Sequence, residues 1–323
     1  MKIVGSIVFA LMLLSCNNGS NNQRVISGSS GNINNLTVVV DNLLWEQNVG
    51  EAIRNIIAAP AEGLPQDEPL FSIAQLPPQV FSDFTTKSRI ILKIETKKEA
   101  ATRIANDVYA RPQTVVVVSG QNSTEIIDQL KTNAEKIIDA YQKEEIKEKQ
   151  RRIKLSLFDI TPIKNKLGLS IKFPTAYRVA QEEDNFFWIR KDITTGTMDL
   201  LMYEIPISAL KKGDSTVLDV VRVRDSIGKI YIQGALEGSY LGTEDAYAPY
   251  FFETIIDNKP TFETKGIWDL KNAFMSGPFI NYAIEDKVNN RYVMIEGYVF
   301  APSVQKRDYM FELEAIIRSA TLK

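Results

Sequence analysis

Apolar residues change their spacing along this chain, and each spacing predicts an element. Leu36 to Val40 is a continuous apolar run of buried-strand length. Asp41 and Asn42 then supply a helix start. Leu43, Leu44, Val49, Ile53, Ile56 and Ile57 follow at helical spacing and stop before Pro60. Prolines at 60, 65, 69, 77 and 78 make residues 60–80 a loop, with room for one short strand at Leu70–Ile73. Ser88–Ile94 predicts a strand, Glu99–Tyr109 a short helix and Thr114–Ser119 a buried strand. Asn122 with Glu125 resembles a capping box and opens the longest helix, whose buried face is expected to be Ile126, Ile127, Leu130, Ala134, Ile137, Ile138 and Tyr141. From Lys143 to Lys154 the helix is almost wholly charged. Glu144, Glu145 and Glu148 alternate with Lys147, Lys149, Arg151 and Arg152, which predicts a solvated face laced by local pairs and not a nucleic-acid helix.

Beyond this helix the period shortens. Leu167, Leu169, Ile171 and Phe173 alternate strictly before Pro174 and predict a strand. More strands follow at Tyr177–Gln181, Phe186–Lys191 and Met198–Ile205. Ser215 or Thr216 starts a helix carrying Val217, Val220, Val221, Arg224 and Ile227. Strands return at Tyr250–Ile256, Thr261–Leu270, Phe279–Ile284 and Arg291–Phe300, and a closing helix carries Tyr309, Leu313, Ile316 and Ile317. On Thr261–Leu270 the pleat puts Phe262, Thr264, Gly266, Trp268 and Leu270 on one face, and Glu263, Lys265, Ile267 and Asp269 on the other. The order predicts an α+β protein of two lobes. A small α/β N-terminal lobe covers residues 36–157 and ends in the long helix; a C-terminal antiparallel sheet with packed helices covers 158–323.

The N-terminus has a different character. Ile3–Leu14 is an apolar run of 12 residues behind Lys2, against the roughly 20 that a bilayer span needs, so residues 1–15 read as a signal peptide. Leu13-Leu14-Ser15-Cys16 is a lipobox, with an apolar residue at 13 and a small one directly before the cysteine. Cys16 is therefore expected to carry acyl chains and to make the membrane a partner, each buried CH₂ contributing about 0.8 kcal/mol. Of the 19 residues from Asn17 to Asn35, 14 are Asn, Gly or Ser, which predicts a flexible tether over residues 16–35.

Composition mainly excludes. A net charge of −2 gives no electrostatic footprint for nucleic acid. The chain has no histidine, and its one cysteine is assigned to lipid. Ser-His-Asp and Cys-His catalysis, His or Cys zinc sites, haem, iron–sulfur clusters and internal disulfides are thereby ruled out. No cofactor or metal is expected, and no catalytic residue is assigned. Carboxylates, Ser/Lys pairs and tyrosines are what remains for chemistry.

The most unusual segment is Gln233–Pro249, a long loop rich in glycine and aromatic residues. Gly234, Gly238 and Gly242 are evenly spaced, but the segment precedes a strand and no Gly-Lys-Ser/Thr follows, which argues against a phosphate loop. Loops of this kind carry binding sites disproportionately. Arg224, Tyr240, Glu244, Glu263, Lys265 and Trp268, on and around it, are the candidate ligand- or partner-binding residues. Glu244 and Glu263 are also a candidate carboxylate pair for glycoside chemistry, which needs a separation of about 5–10 Å.

Three phrases, "RVRDSIGKIYIQGALEGSYLGTE", "FETKGIWDLKNAFMSGPFINY" and "EGYVFAPSVQKRDYMFELEAI", resemble a domain-of-unknown-function lipoprotein family of Bacteroidota. The resemblance runs from about residue 36 to the C-terminus, lipobox included. "GLSIKFP" and the closing hairpin and helix are also similar to the PsbP/Mog1-type fold. The family resemblance implies an outer-envelope lipoprotein and supplies no activity. In such bacteria the absence of acidic residues after Cys16 implies the periplasmic face, and Asn17 argues against retention at the inner membrane. The expected function is a non-catalytic, lipid-anchored envelope protein that binds a partner protein, a glycan or a small ligand through the second lobe. The alternatives are a histidine-free, carboxylate-based hydrolase acting on glycans, and an accessory subunit of an envelope complex docking through the long helix.

Overall fold

The computed structural model describes residues 26–323, so the predicted signal peptide, the lipobox with Cys16 and the first part of the tether lie outside the described residues. The first lobe contains β1 (Asn35–Val39), α1 (Asn48–Ile57), β2 (Ser72–Leu76), β3 (Ile90–Thr96), β4 (Ala101–Asn106), β5 (Thr114–Gly120), α2 (Ser123–Thr132) and α3 (Ala134–Ile153). Its five-stranded sheet has the order β2-β1-β3-β5-β4, with β4 alone antiparallel. Leu36, Val38, Leu92 and Val116 face Ile53, Leu130, Ile137 and Tyr141 of the helices, so the apolar runs are strands buried under a helical layer. On the other face, Val39, Ile91 and Val115 are covered by Phe81 and Tyr109.

Several expectations change here. The helix after Asp41 breaks at Gln47 into Asn42–Glu46 and α1, and the strand foreseen at Leu70–Ile73 forms at Ser72–Leu76. Asn122 Oδ1 accepts from the Glu125 amide at 3.1 Å, but Glu125 Oε2 accepts from Gln121, one residue earlier than a capping box requires. The longest helix is also interrupted, at Asn133, between α2 and α3. Glu99–Tyr109 is not a helix. Its centre is β4, where Thr102 and Ile104 register with Val118 and Val116. Pairing with a buried strand outweighs a helix preference worth only tenths of a kcal/mol per residue.

The expected tether and the expected solvated helix face are corrected together. Ser27–Gly28 pairs with Ala110–Arg111, and Ser30 bridges to Ser88. Arg89 donates to the Asn32 carbonyl at 2.8 Å, and the Asn34 amide donates to Glu145 Oε2 at 2.7 Å. From Ser27 onward the chain is thus held by hydrogen bonds in place of apolar burial. Glu144, Glu145 and Glu148 are buried, not solvated. Thr114, Arg89, and Arg151 with Arg152 satisfy them in turn.

The second lobe contains β6 (Arg178–Glu182), β7 (Phe186–Ile193), β8 (Gly196–Pro206), α4 (Thr216–Tyr231), β9 (Tyr240–Thr243), β10 (Tyr250–Ile256), β11 (Lys259–Lys271), β12 (Ser276–Asp286), β13 (Arg291–Phe300) and α5 (Arg307–Ile317). They build an eight-stranded antiparallel sheet in the order β9-β11-β12-β13-β8-β7-β6, with β10 also pairing with β11. Val220 of α4 packs with Leu241, Phe262, Trp268 and Met294 on one face. Leu313, Ile316 and Ile317 of α5 pack with Met202, Ile284 and Ile295 on the other. The molecule is therefore α+β in two lobes. Leu167, Leu169, Ile171 and Phe173 are all buried as their alternation predicts, yet only Leu169–Ser170 finds a strand partner, at Thr321–Leu322.

Helix α5 ties the lobes together. The Glu68 carboxylate, from the proline-rich loop of the first lobe, accepts from the Lys306 and Arg307 amides at 2.7 and 2.9 Å. Arg307 donates back to the Pro69 carbonyl at 2.9 Å, and Lys149 of α3 pairs with Glu312 at 2.7 Å.

The interlobe cleft as candidate binding site

Strand alternation decides which candidate residues meet. Glu263 and Lys265 project from β11 on the α5 face, beside Phe252 and Tyr250 of β10 and Tyr282 and Ile280 of β12. Across from them stand the loop through Ala59–Leu64, residues Leu70 and Phe71, and the first turns of α3. The space between is a cleft of about 520 Å³, closed on the remaining side by Met310, Phe311 and Glu314 of α5.

A four-member ion cluster runs along one wall. Glu263 pairs with Lys265 at 2.7 Å and with Arg318 at 3.2 Å, and Arg318 pairs with Glu314 at 2.7 Å. The Tyr282 hydroxyl donates weakly to Glu314 at 3.4 Å. Burial opposes charge on Glu314, but Lys265 and Arg318 outweigh it and hold its pKa below the usual carboxylate range. Burial likewise opposes charge on Lys265, and Glu314 and Glu263 reverse the sign and raise its pKa. A glutamate held ionised has no proton to give near neutral pH, so Glu314 is suited to fixing a ligand and not to general acid catalysis.

Gly63 sets the distance between the lobes at this point. Its φ is +77°, and a Cβ there would sit 2.8 Å from Lys265 Cβ and 3.3 Å from the Gly266 nitrogen. Only glycine allows the loop to lie this close to β11.

The other sequence candidates are elsewhere. Arg224 projects from α4 into the core, donating to Glu296 at 2.9 Å and to Thr243 at 2.9 Å, with its guanidinium 3.9 Å from the Phe279 ring centre. Burial raises the Glu296 pKa, with Arg224 partly countering it. Trp268 is a core side chain whose indole donates to the Val299 carbonyl at 3.1 Å. Tyr240 opens β9, with the Lys229 ammonium 5.6 Å from its ring. Glu244 binds its own loop, at the Ala246 amide. Its amide bonds the Ile267 carbonyl, four residues from Glu263 or about 13 Å of strand, so the glycosidase pair is not assembled. Glu314, Arg318, Phe252 and the first-lobe wall were not foreseen. The i,i+4 spacing of Glu314 and Arg318 was a visible signal; the wall, brought in from another lobe, left none.

A family model described as Domain of unknown function (DUF4837) matches residues 156–319, which contain both Glu263 and Glu314. The chain belongs to this family. A second model, Domain of unknown function (DUF8532), matches residues 29–154, so the boundary between the two matches falls just after α3. No curated protein matches the chain. Among solved structures, the Saccharomyces cerevisiae Ran-binding protein Mog1p is similar at 8% identity and a TM-score of 0.32, over 48% of this chain and 90% of that one. A mutant of protein Mog1 gives 8% identity and a TM-score of 0.31, over the same shares.

Proposed function

We propose that this DUF4837 protein is a lipid-anchored envelope protein that binds a ligand or partner, without catalysis, in the cleft between its lobes. The cleft itself carries the reading. At about 520 Å³ it has the size of a small-molecule site, and Phe71, Ile138, Ile280, Met310 and Phe311 give it apolar walls around a few fixed charges. Its innermost carboxylates are already paired with Lys265 and Arg318, which suits recognition better than proton transfer. The separation of Glu244 from Glu263 and the lack of histidine weigh against the hydrolase alternative. The accessory-subunit alternative is less favoured, because Glu144, Glu145 and Lys149 of the charged end of α3 are engaged internally by Thr114, Arg89 and Glu312, although Lys143, Lys147, Arg151, Arg152 and Lys154 stay exposed.

The lipobox supports anchoring through Cys16, and the resemblance to Bacteroidota lipoproteins supports the periplasmic face of the outer membrane. Ile26 lies ten residue steps after Cys16, a contour of at most about 35 Å, which would keep the body near the membrane. Cys16→Ser is expected to abolish fatty-acid labelling and to move the protein to the soluble fraction. For the cleft, native mass spectrometry of protein extracted from its envelope should find a bound mass that Phe311→Asp removes. Wild-type protein without any bound mass, together with a Phe311→Asp variant fully competent in cells, would reject the cleft as the site.

A further inference from the structure

Strand β10 is an uncovered sheet edge. It pairs with β11 through all seven residues, Tyr250–Ile256, and among the described residues its backbone bonds to nothing on its other side. Proteins usually blunt such edges with lysine, proline, a bulge or a covering segment. Here the register with β11 runs without a shift, and the strand Tyr-Phe-Phe-Glu-Thr-Ile-Ile has one charge, Glu253. Ile255, Tyr250 and Phe252 are 70%, 48% and 39% exposed. Bare strands of this composition are association sites.

We propose that β10 is the docking edge for an extended basic–aliphatic segment of a partner protein, which adds to the sheet as a further strand. Main-chain bonds would supply affinity, and alternate side chains specificity. The charge around the edge selects the occupant. Tyr250 shares a smaller pocket of about 280 Å³ with Glu62 and Asp67, and Glu253 projects from the strand itself. Among the described residues none of these three carboxylates has an ion-pair partner. Lys265, the cation that registers with Tyr250, is committed to Glu263. Lys259, opposite Ile256 at the turn end of the hairpin, lies at the far end of the strand from Tyr250, Glu62 and Asp67. A second copy of this chain fits poorly, because a full-length antiparallel match of β10 with itself centres on Glu253 and opposes two carboxylates. The proposal does not depend on a ligand in the interlobe cleft.

The test uses the purified protein and fluorescent seven-residue peptides matched to the length of β10. One alternates valine with lysine, one valine with glutamate, and two are the basic peptide N-methylated at every second residue in opposite phases. By anisotropy the basic peptide should bind about ten-fold tighter than the acidic one. The two methylated forms should separate by a similar factor, since one phase removes the bonds to β10 and the other does not. Amide exchange at Phe251–Ile256 should slow on binding. The Glu253→Lys/Ile255→Lys variant should lose the peptide at unchanged melting temperature, whereas Phe311→Asp should keep it. Equal or absent binding of the four peptides overturns the proposal, as does unchanged exchange in β10. Loss of the peptide in Phe311→Asp but not in the edge variant assigns it to the cleft, and a dimer that protects β10 without peptide assigns the edge to a second copy; either overturns it.

Discussion

Arg89 and Glu145 form an ion pair closed to solvent, 2.6 Å between Nε and Oε1, with side-chain exposures of 2% and 0%. The same side chains fasten the incoming chain at Asn32 and Asn34, so one buried pair orders the entrance to the first lobe. Removing one member of such a pair strands the other charge and costs about 3–5 kcal/mol. Arg89→Met is expected to lower first-lobe stability by about that amount in urea unfolding, and Arg89→Met/Glu145→Leu to recover part of it. A double variant no more stable than the single would mean the pair acts through its bonds to Asn32 and Asn34, not through a stranded charge. Glu145 shows how a residue can be legible and still misread. Ile137, Tyr141, Glu145 and Glu148 recur at spacings of four, four and three, so the glutamates continue the buried stripe of α3. Local pairing accounts for Glu148 with Arg151 and Arg152, but the partner of Glu145 is 56 residues away.

At the scale of elements, periodicity succeeded where one element supplies its own evidence. The alternation on Thr261–Leu270 separated the core face of Trp268 from the cleft face of Glu263 and Lys265, as β11 has them. It failed where pairing decides, as for β4, whose strand state depends on β5. The start of α5 is a similar case. Lys306, at the N-cap position, makes no side-chain cap, and nothing near it in sequence does so. The capping acceptor is Glu68, a buried carboxylate from the other lobe. Its charge also suits the positive end of the helix dipole. Replacing a capping side chain with alanine costs about 0.5–2 kcal/mol, and Glu68→Ala is expected at the upper end because it also loosens the lobe contact. Hydrogen exchange should show the first turn of α5, Arg307–Met310, opening faster in this variant while β12 and β13 are unchanged. Equal acceleration throughout the second lobe would mean that Glu68 supports the whole lobe and not the helix start.

Across the whole molecule, acid should act on the junction and the sheet in opposite directions. Burial opposes charge on Glu312, but Lys149 and Lys191 outweigh it and hold its pKa low. Glu314 is lowered in the same way by Lys265 and Arg318. Burial also opposes charge on Glu148, yet hydrogen bonds from Arg151 and Arg152 pull its pKa to about 2. Carboxylates with depressed pKa values contribute stability above the unfolded value of about 4.3, and that contribution is lost as pH falls through the folded value. Glu312 pairs across the junction with Lys149 of α3, so its loss falls on the lobe contact, while the losses at Glu314 and Glu148 fall on α5 and α3, the two helices that meet there. Beneath α4 the sign reverses. Burial raises the pKa values of Glu296 and Asp199 despite Arg224 and Arg190, so protonating them on acidification relieves a cost. Near pH 3 the lobes are therefore expected to part before the second-lobe sheet melts. Hydrogen exchange followed from neutral pH to about pH 3 should show α3 and α5 losing protection while β12 and β13 keep theirs. Simultaneous loss in all four elements would show that the two lobes unfold as one cooperative unit and that the junction is not the acid-sensitive element.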